Sequence, residues 1–225
     1  RAHFEICEAL SATMMEAICI GLGLPRDRLA GSFRPGHTSF LRLNYYPVDD
    51  PLSDLPDAIG DGADLGIHHH SDAGAVTILL QDAIGGLQVF KDGYWHDVTP
   101  VDGAFVINIG DMLQRLTNHV YPSTTHRVVN PSKERMGFSR YSTPFFLHFN
   151  PDFLIETLPG CISEDTPNRY PDPMTAHAYL LERLREIGLM EEDFMRRLSN
   201  ASQWWLRGGE LYLADPDGTP LLRFV

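Results

Sequence analysis

The chain is short of positive charge. Against 30 aspartates and glutamates it sets 18 lysines and arginines, for a net charge of −12 at pH 7. No basic stripe is left to neutralise phosphates, so a nucleic-acid partner is not expected. Also missing is any apolar run of about 18 residues, the least that a membrane-crossing helix needs. Cysteine is sparse: Cys7, Cys19 and Cys161 are widely spaced and odd in number, which fits reduced thiols in a cytoplasmic protein better than a disulfide frame. There is no internal repeat and no low-complexity tract. The first residue is arginine and not methionine, so an upstream segment is expected.

What is present is ordinary globular material. With 225 residues, 43% hydrophobic and 21% charged, the chain suits one large domain, or one domain with an appendage. Apolar residues at Phe4, Cys7, Leu10, Met14 and Ile18 predict a helix over about 3–22, with Pro25 beyond its stop. Short β-like runs follow at 40–46, 75–80, 86–90, 94–98, 104–109, 124–129 and 138–146, separated by Gly, Pro, Asn and Asp. Many short strands with such punctuation predict a mainly β fold with flanking helices, a jelly roll or barrel. A second helix is expected over 174–187, and beyond it a segment with DPDG between two apolar runs, a hairpin signal.

The stretch LGIHHHSDAGAVTILLQD places three histidines and an aspartate ahead of a β-branched run. Residues two apart share a strand face, so His68, His70 and Asp72 are expected on one side and His69 and Ser71 on the other. An imidazole and a carboxylate on one face are two ligands for a metal, and a third must come from elsewhere. His126, in STTHRVVNP, is the best candidate. Two histidines and one carboxylate form the ligand set of non-haem Fe(II) centres that keep open coordination positions.

Two more pairs have the same parity. Arg140 and Ser142 share a face just ahead of Phe145 and Phe146, and a guanidinium turned into a core needs an anionic partner. Arginine beside a hydroxyl is a natural clamp for a carboxylate. Asn44 and Tyr46 likewise share a face. NPSKERMG reads as a hairpin turn centred near Lys133, which predicts His126 and Arg140 opposite one another on paired strands. The pairs together describe one pocket, with a metal at one end and a carboxylate anchor at the other.

HSDAGAVTILLQDAIGGLQV, WHDVTPVDGAFVINIGDMLQRLTN, STTHRVVNP and RYSTPFF resemble, in this order, the Fe(II)- and 2-oxoglutarate-dependent oxygenases of the isopenicillin N synthase-like superfamily, over roughly residues 1–189. The resemblance implies a double-stranded β-helix (jelly-roll) core, with His70, Asp72 and His126 as iron ligands. It implies that Arg140 and Ser142 hold the far carboxylate of 2-oxoglutarate, that Asn44 and Tyr46 line the same cosubstrate, and that Phe146 packs on substrate. His148 shares the parity of Arg140 and is a further candidate substrate contact at the barrel mouth. The implied activity is that of a dioxygenase using dioxygen, Fe(II) and 2-oxoglutarate to hydroxylate, desaturate or cyclise a small molecule, with release of succinate and carbon dioxide. Two alternatives stand beside it: an Fe(II) oxidase of the same superfamily that needs no 2-oxoglutarate, and a non-catalytic metal-dependent binding module.

The expected organisation is an oxygenase core over 1–189 that lacks the family's N-terminal region, and a C-terminal extension over 190–225 made of a helix plus a hairpin, with Trp204 and Trp205 packing onto something. Without the N-terminal region the pocket is expected to be open and turnover poorly coupled. His119 is expected to be a solvated loop residue, and Asp49, Asp50 and Asp111 to be cap or turn residues.

Overall fold

In the computed structural model the described residues are 1–33, 37–46, 65–129, 139–186, 203–207, 210–214, 216–217 and 220–224. Helix α1 (Ala2–Gly21) opens the chain. Its end is set by glycine. Gly23 takes φ +69, its N–H donates to the Ile20 carbonyl at 3.0 Å, and that of Leu24 donates to Cys19 at 2.9 Å. Both are bonds of a helix-terminating left-handed turn that glycine adopts without a Cβ penalty. The buried stripe runs through Cys7, Ser11, Met15, Ile18 and Cys19, one residue off the expected Leu10 and Met14. Ser11 can occupy its centre because its hydroxyl donates to the Cys7 carbonyl at 2.7 Å.

The strands are β1 (Phe40–Leu41), β2 (Asn44–Tyr46), β3 (Leu65–His70), β4 (Val76–Gln81), β5 (Leu87–Lys91), β6 (Tyr94–Asp97), β7 (Val106–Ile109), β8 (His126–Val129), β9 (Arg140–Leu147), β10 (Leu154–Ile155) and β11 (Met174–Thr175). A short helix, α2 (Asp111–Leu116), follows β7, and α3 (Ala176–Glu186) follows β11. One antiparallel sheet runs β1-β9-β4-β7 with β2 also on β9, and a second runs β3-β8-β5-β6. From β3 onward the chain passes back and forth between these sheets, as a jelly roll does. α1 covers one face of the first sheet, where Phe4 meets Phe145 edge-on at 5.2 Å.

Three expectations need correction. β8 and β9 lie in different sheets, so His126 and Arg140 are not hairpin partners. β8 pairs with β3 and β5 instead. The helix expected from Met174 begins two residues late, because Met174 and Thr175 pair with Ile155 and Leu154. Trp204 and Trp205 lie on β12 (Gln203–Arg207), which pairs with β13 (Glu210–Ala214). The DPDG hairpin is present as β13 with β14 (Pro220–Phe224). α2 was not foreseen, and Asp111 is its first residue, not an isolated turn position. Asp49, Asp50, the turn near Lys133 and the helix expected just after residue 189 lie outside the described residues.

The chain forms two compact units, Arg1–Ala178 and Tyr179–Val225. Cys7, Cys19 and Cys161 are buried free thiols. Among the described residues no helix is long and apolar enough to cross a membrane.

The loop between β3 and β4 is fixed by an approach that only glycine permits. A Cβ on Gly110 would lie 2.2 Å from the Gly74 carbonyl oxygen. With that approach open, Gly110 N–H donates to Ala75, Asp111 N–H to the Asp72 carbonyl at 2.7 Å, and Met112 N–H to Gly74 at 3.1 Å. The first N–H groups of α2, which no helical carbonyl can serve, are thus spent on the loop that carries Asp72. Gly110→Ala is expected to cost about 1–3 kcal/mol of stability in urea denaturation, because the added methyl must push the two backbones apart.

Candidate active site

β3 and β8 set the two imidazoles side by side. His70 pairs with His126 across the strands, and their ring centroids are 4.3 Å apart. A register shift between Ile67 and His70 breaks the simple alternation of β3. His69 points away from His70, its ring 6.5 Å from Trp95, as the parity argument expects. His68 contributes its carbonyl and no side-chain contact to the site.

Asp72 follows β3 in the loop and is buried. Its Oδ1 lies 3.8 Å from His70 Nε2 and 3.7 Å from His126 Nε2. One ligand atom from each of the three residues falls within 4.8 Å of the others, the reach of a single metal ion. The hydrogen bonds around these atoms decide which of them remain free. His70 Nδ1 lies 2.8 Å from the His68 carbonyl, and His126 Nδ1 lies 3.0 Å from that of Thr124. A carbonyl only accepts, so each Nδ1 carries the proton and each Nε2 keeps a lone pair for a metal. Asp72 Oδ2 accepts from Thr77 Oγ1 at 2.5 Å and from Asn108 Nδ2 at 2.8 Å. Two donors on Oδ2 leave Oδ1 toward the imidazoles. Burial pushes the His70 pKa below its usual value, and the nearby His126 and Arg42 lower it further, with the His68 carbonyl and Asp72 opposing. The donor set of two imidazole nitrogens and one carboxylate oxygen fits Fe(II) with open positions.

Arg140 lies on β9 in the facing sheet, 3% exposed. Its Nε donates to the Gly85 carbonyl at 2.5 Å, and its guanidinium carbon lies 4.8 Å from the Tyr46 ring centroid. Its terminal Nη1 is buried and has no hydrogen-bond partner among the described residues. A buried guanidinium nitrogen without an acceptor is costly, and a carboxylate is the group that relieves it. Beside it, Asn44 Nδ2 donates to Ser142 Oγ at 3.1 Å, which leaves the serine O–H free to donate to an anion. Asn44 pairs with Ser142, and Tyr46 with Arg140, so the two polar pairs form one cradle.

Phe146 stacks on Phe40 at 4.9 Å, and His148 meets Phe40 edge-on at 5.6 Å. His148 is buried, its Nδ1 has no partner among the described residues, and its ring packs against the Gly74 backbone. Burial lowers its pKa, with Asp72 opposing that shift. His119 is not the solvated residue expected: it is half-buried, stacks on Tyr170 at 5.7 Å and hydrogen-bonds the Tyr170 hydroxyl.

Three residues at this site were missed by the sequence reading: Thr77, Asn108 and Gly85. Asn108 left a signal, a lone amide in the apolar run VINIG. Gly85 acts through its carbonyl and has a φ of +80, which its side chain alone does not announce.

The 2OG-Fe(II) oxygenase superfamily profile matches residues 37–149, which contain the triad and the Arg140 cradle. A "2-oxoglutarate-Fe(II) type oxidoreductase" of Aspergillus fumigatus is 42% identical over 152 residues, 67% of this chain and 42% of its own length. Among solved structures, a Neurospora crassa protein in complex with alpha-KG and thymine has a TM-score of 0.72 and 32% identity, over 83% of this chain and 55% of that one. JOX2 in complex with 2OG, Fe and JA has a TM-score of 0.67 and 37% identity, over 80% of this chain and 50% of that one. This chain belongs to the 2OG-Fe(II) oxygenase superfamily. It spans well under two thirds of the length of its curated relatives, 42%, 38% and 44% for three of them.

Singly replacing His70, Asp72 or His126 by Ala is expected to abolish Fe(II) binding in calorimetric titration of the metal-free protein, and His69→Ala to leave it intact. Asn108→Ala, which strips one donor from Asp72 Oδ2, is expected to weaken Fe(II) about 10–100-fold.

Proposed function

We propose that this chain is an Fe(II)- and 2-oxoglutarate-dependent dioxygenase acting on a small organic molecule. The observation that carries the reading is the convergence of two sites in one jelly roll. Two imidazole nitrogens and a carboxylate oxygen lie within reach of one metal ion, and a buried guanidinium Nη1 on the other sheet has no acceptor among the described residues. A ligand that chelates a metal at one end and ends in a carboxylate at the other suits both.

His70 and His126 would offer Nε2, and Asp72 Oδ1, to the iron. Thr77 and Asn108 hold the carboxylate in that orientation. Arg140 and Ser142 would hold the far carboxylate of 2-oxoglutarate, with Arg140 steadied by the Gly85 carbonyl and the Tyr46 ring. Bound Fe(II), with 2-oxoglutarate and dioxygen, supplies the oxidising chemistry and releases succinate and carbon dioxide. The protein's part is to orient and to keep water out, which Phe40 and Phe146 serve at the mouth of the roll.

Anaerobic titration with Fe(II) and 2-oxoglutarate, followed by the charge-transfer band of the chelate, tests the reading, and succinate release on admission of air tests turnover. Arg140→Lys keeps the charge and loses the planar fork, so 2-oxoglutarate affinity is expected to fall about 10–100-fold, some 1.4–2.8 kcal/mol. Iron affinity should hardly change. Substrate oxidation that proceeds without 2-oxoglutarate would move the assignment to the oxidase branch of the family.

A further inference from the structure

α1 buries the stripe of Cys7, Ser11, Met15, Ile18 and Cys19. Residues three and four apart share a helix face, and the row opposite that stripe is Ala2, Ile6, Ala9, Thr13, Ala17 and Ile20. All six are exposed, Ile6 by 57% and Ile20 by 62%. A helix lying on a domain ordinarily gives its outer row to charged and polar side chains. This row holds no charge from one end of α1 to the other. Its one hydroxyl, on Thr13, already donates to the Ala9 carbonyl at 3.3 Å.

The acidic residues of α1 leave the row undisturbed. Glu5 and Glu16 stand on one flank of it, and each meets an arginine of its own chain, Glu5 with Arg1 at 3.1 Å and Glu16 with Arg26. Glu8 turns toward His37, whose Nε2 lies 2.9 Å from it. In a chain with a net charge of −12, a chance meeting of two copies sets acid against acid. Along this row two copies can meet without that repulsion. The row is also complementary to itself. Laid antiparallel on a second α1, with Ala9 of one opposite Thr13 of the other, it sets Ile20 on Ala2 and Ile6 beside Ala17. Every large side chain meets a small one, and the match repeats about a twofold axis, as a symmetric pair requires. Alanine and threonine at the centre let the helix axes approach to about 8 Å, the close end of helix packing.

We propose that this face of α1 binds the same face of a second copy of the chain, forming an antiparallel, twofold dimer. Ile6 and Ile20 of each copy leave water on pairing, and that burial is the driving force. Side chains this small bury a limited area, so the dimer is a weak one, governed by concentration. The pairing stands apart from the oxygenase reading and does not need it.

Sedimentation velocity of the 225-residue chain, from micromolar to millimolar concentration, tests the pairing. The expected result is a weight-average mass that climbs from one chain toward two. Ala9→Glu sets a carboxylate at the centre of the face, in an exposed position and in a residue type that suits a helix. It is expected to hold the protein at one chain over the same range, with its circular dichroism unchanged. Thr13→Glu is a second such variant, so that a failure to fold in one leaves the other to decide. Cross-linking under mild oxidation reads the geometry, because the native thiols are buried. A mixture of Ala9→Cys and Thr13→Cys chains is expected to form disulfide dimers faster than either variant alone. A single-chain mass at every concentration overturns the proposal, and so does a dimer that survives both glutamate substitutions. Faster cross-linking of like with like overturns the antiparallel arrangement.

Discussion

The contact between the start of α2 and the β3–β4 loop is the constraint on which the site depends. Asp72 lies beyond the end of β3, where no ladder holds it, and a loop carboxylate is in general free to wander. Here its backbone is tied to the first N–H groups of α2, and its Oδ2 to side chains from β4 and β7. Ser71 adds a bond from its hydroxyl to Asp111. The arrangement exists because Gly74 and Gly110 let two backbones meet where a methyl group cannot fit. Remove that approach and Asp72 loses its fixed place opposite His70 and His126, even with every candidate ligand still in the sequence.

Two-residue periodicity carried much of the architecture. It put His70 apart from His69, joined Arg140 to Ser142, and joined Asn44 to Tyr46, and all three relations hold. It succeeded because β2 and β9 run in uninterrupted register. It was less faithful in β3, where the shift before His70 means that parity alone does not say what His68 does. The hairpin centred on Lys133 failed for a topological reason. Symmetry about a turn assumes that consecutive strands pair, whereas in a jelly roll the next strand crosses to the other sheet. The roles of Thr77 and Gly85 were not legible, since one is a hydroxyl in an apolar strand and the other acts through its backbone.

The two ends of the site store opposite kinds of electrostatic debt. At the metal end a buried carboxylate and two imidazoles present electron pairs to one another. At the other end a guanidinium is held almost out of water, with one nitrogen unserved. A cation bound at the first end and a carboxylate bound at the second would each offset a desolvation cost. A net charge of −12 makes a buried arginine inside the roll more conspicuous.

Each imidazole orients itself on the main-chain carbonyl two residues before it, His70 on His68 and His126 on Thr124. In many metal sites that task falls to an aspartate or glutamate, which mutation can delete. A carbonyl belongs to every amino acid. The tautomer of both histidines is thus inherited from strand geometry and not from side-chain identity. Sequence drift can rewrite positions 68 and 124 without removing those carbonyls, and a lineage that remodels the surrounding pocket keeps the candidate metal-binding nitrogens correctly oriented at no additional cost.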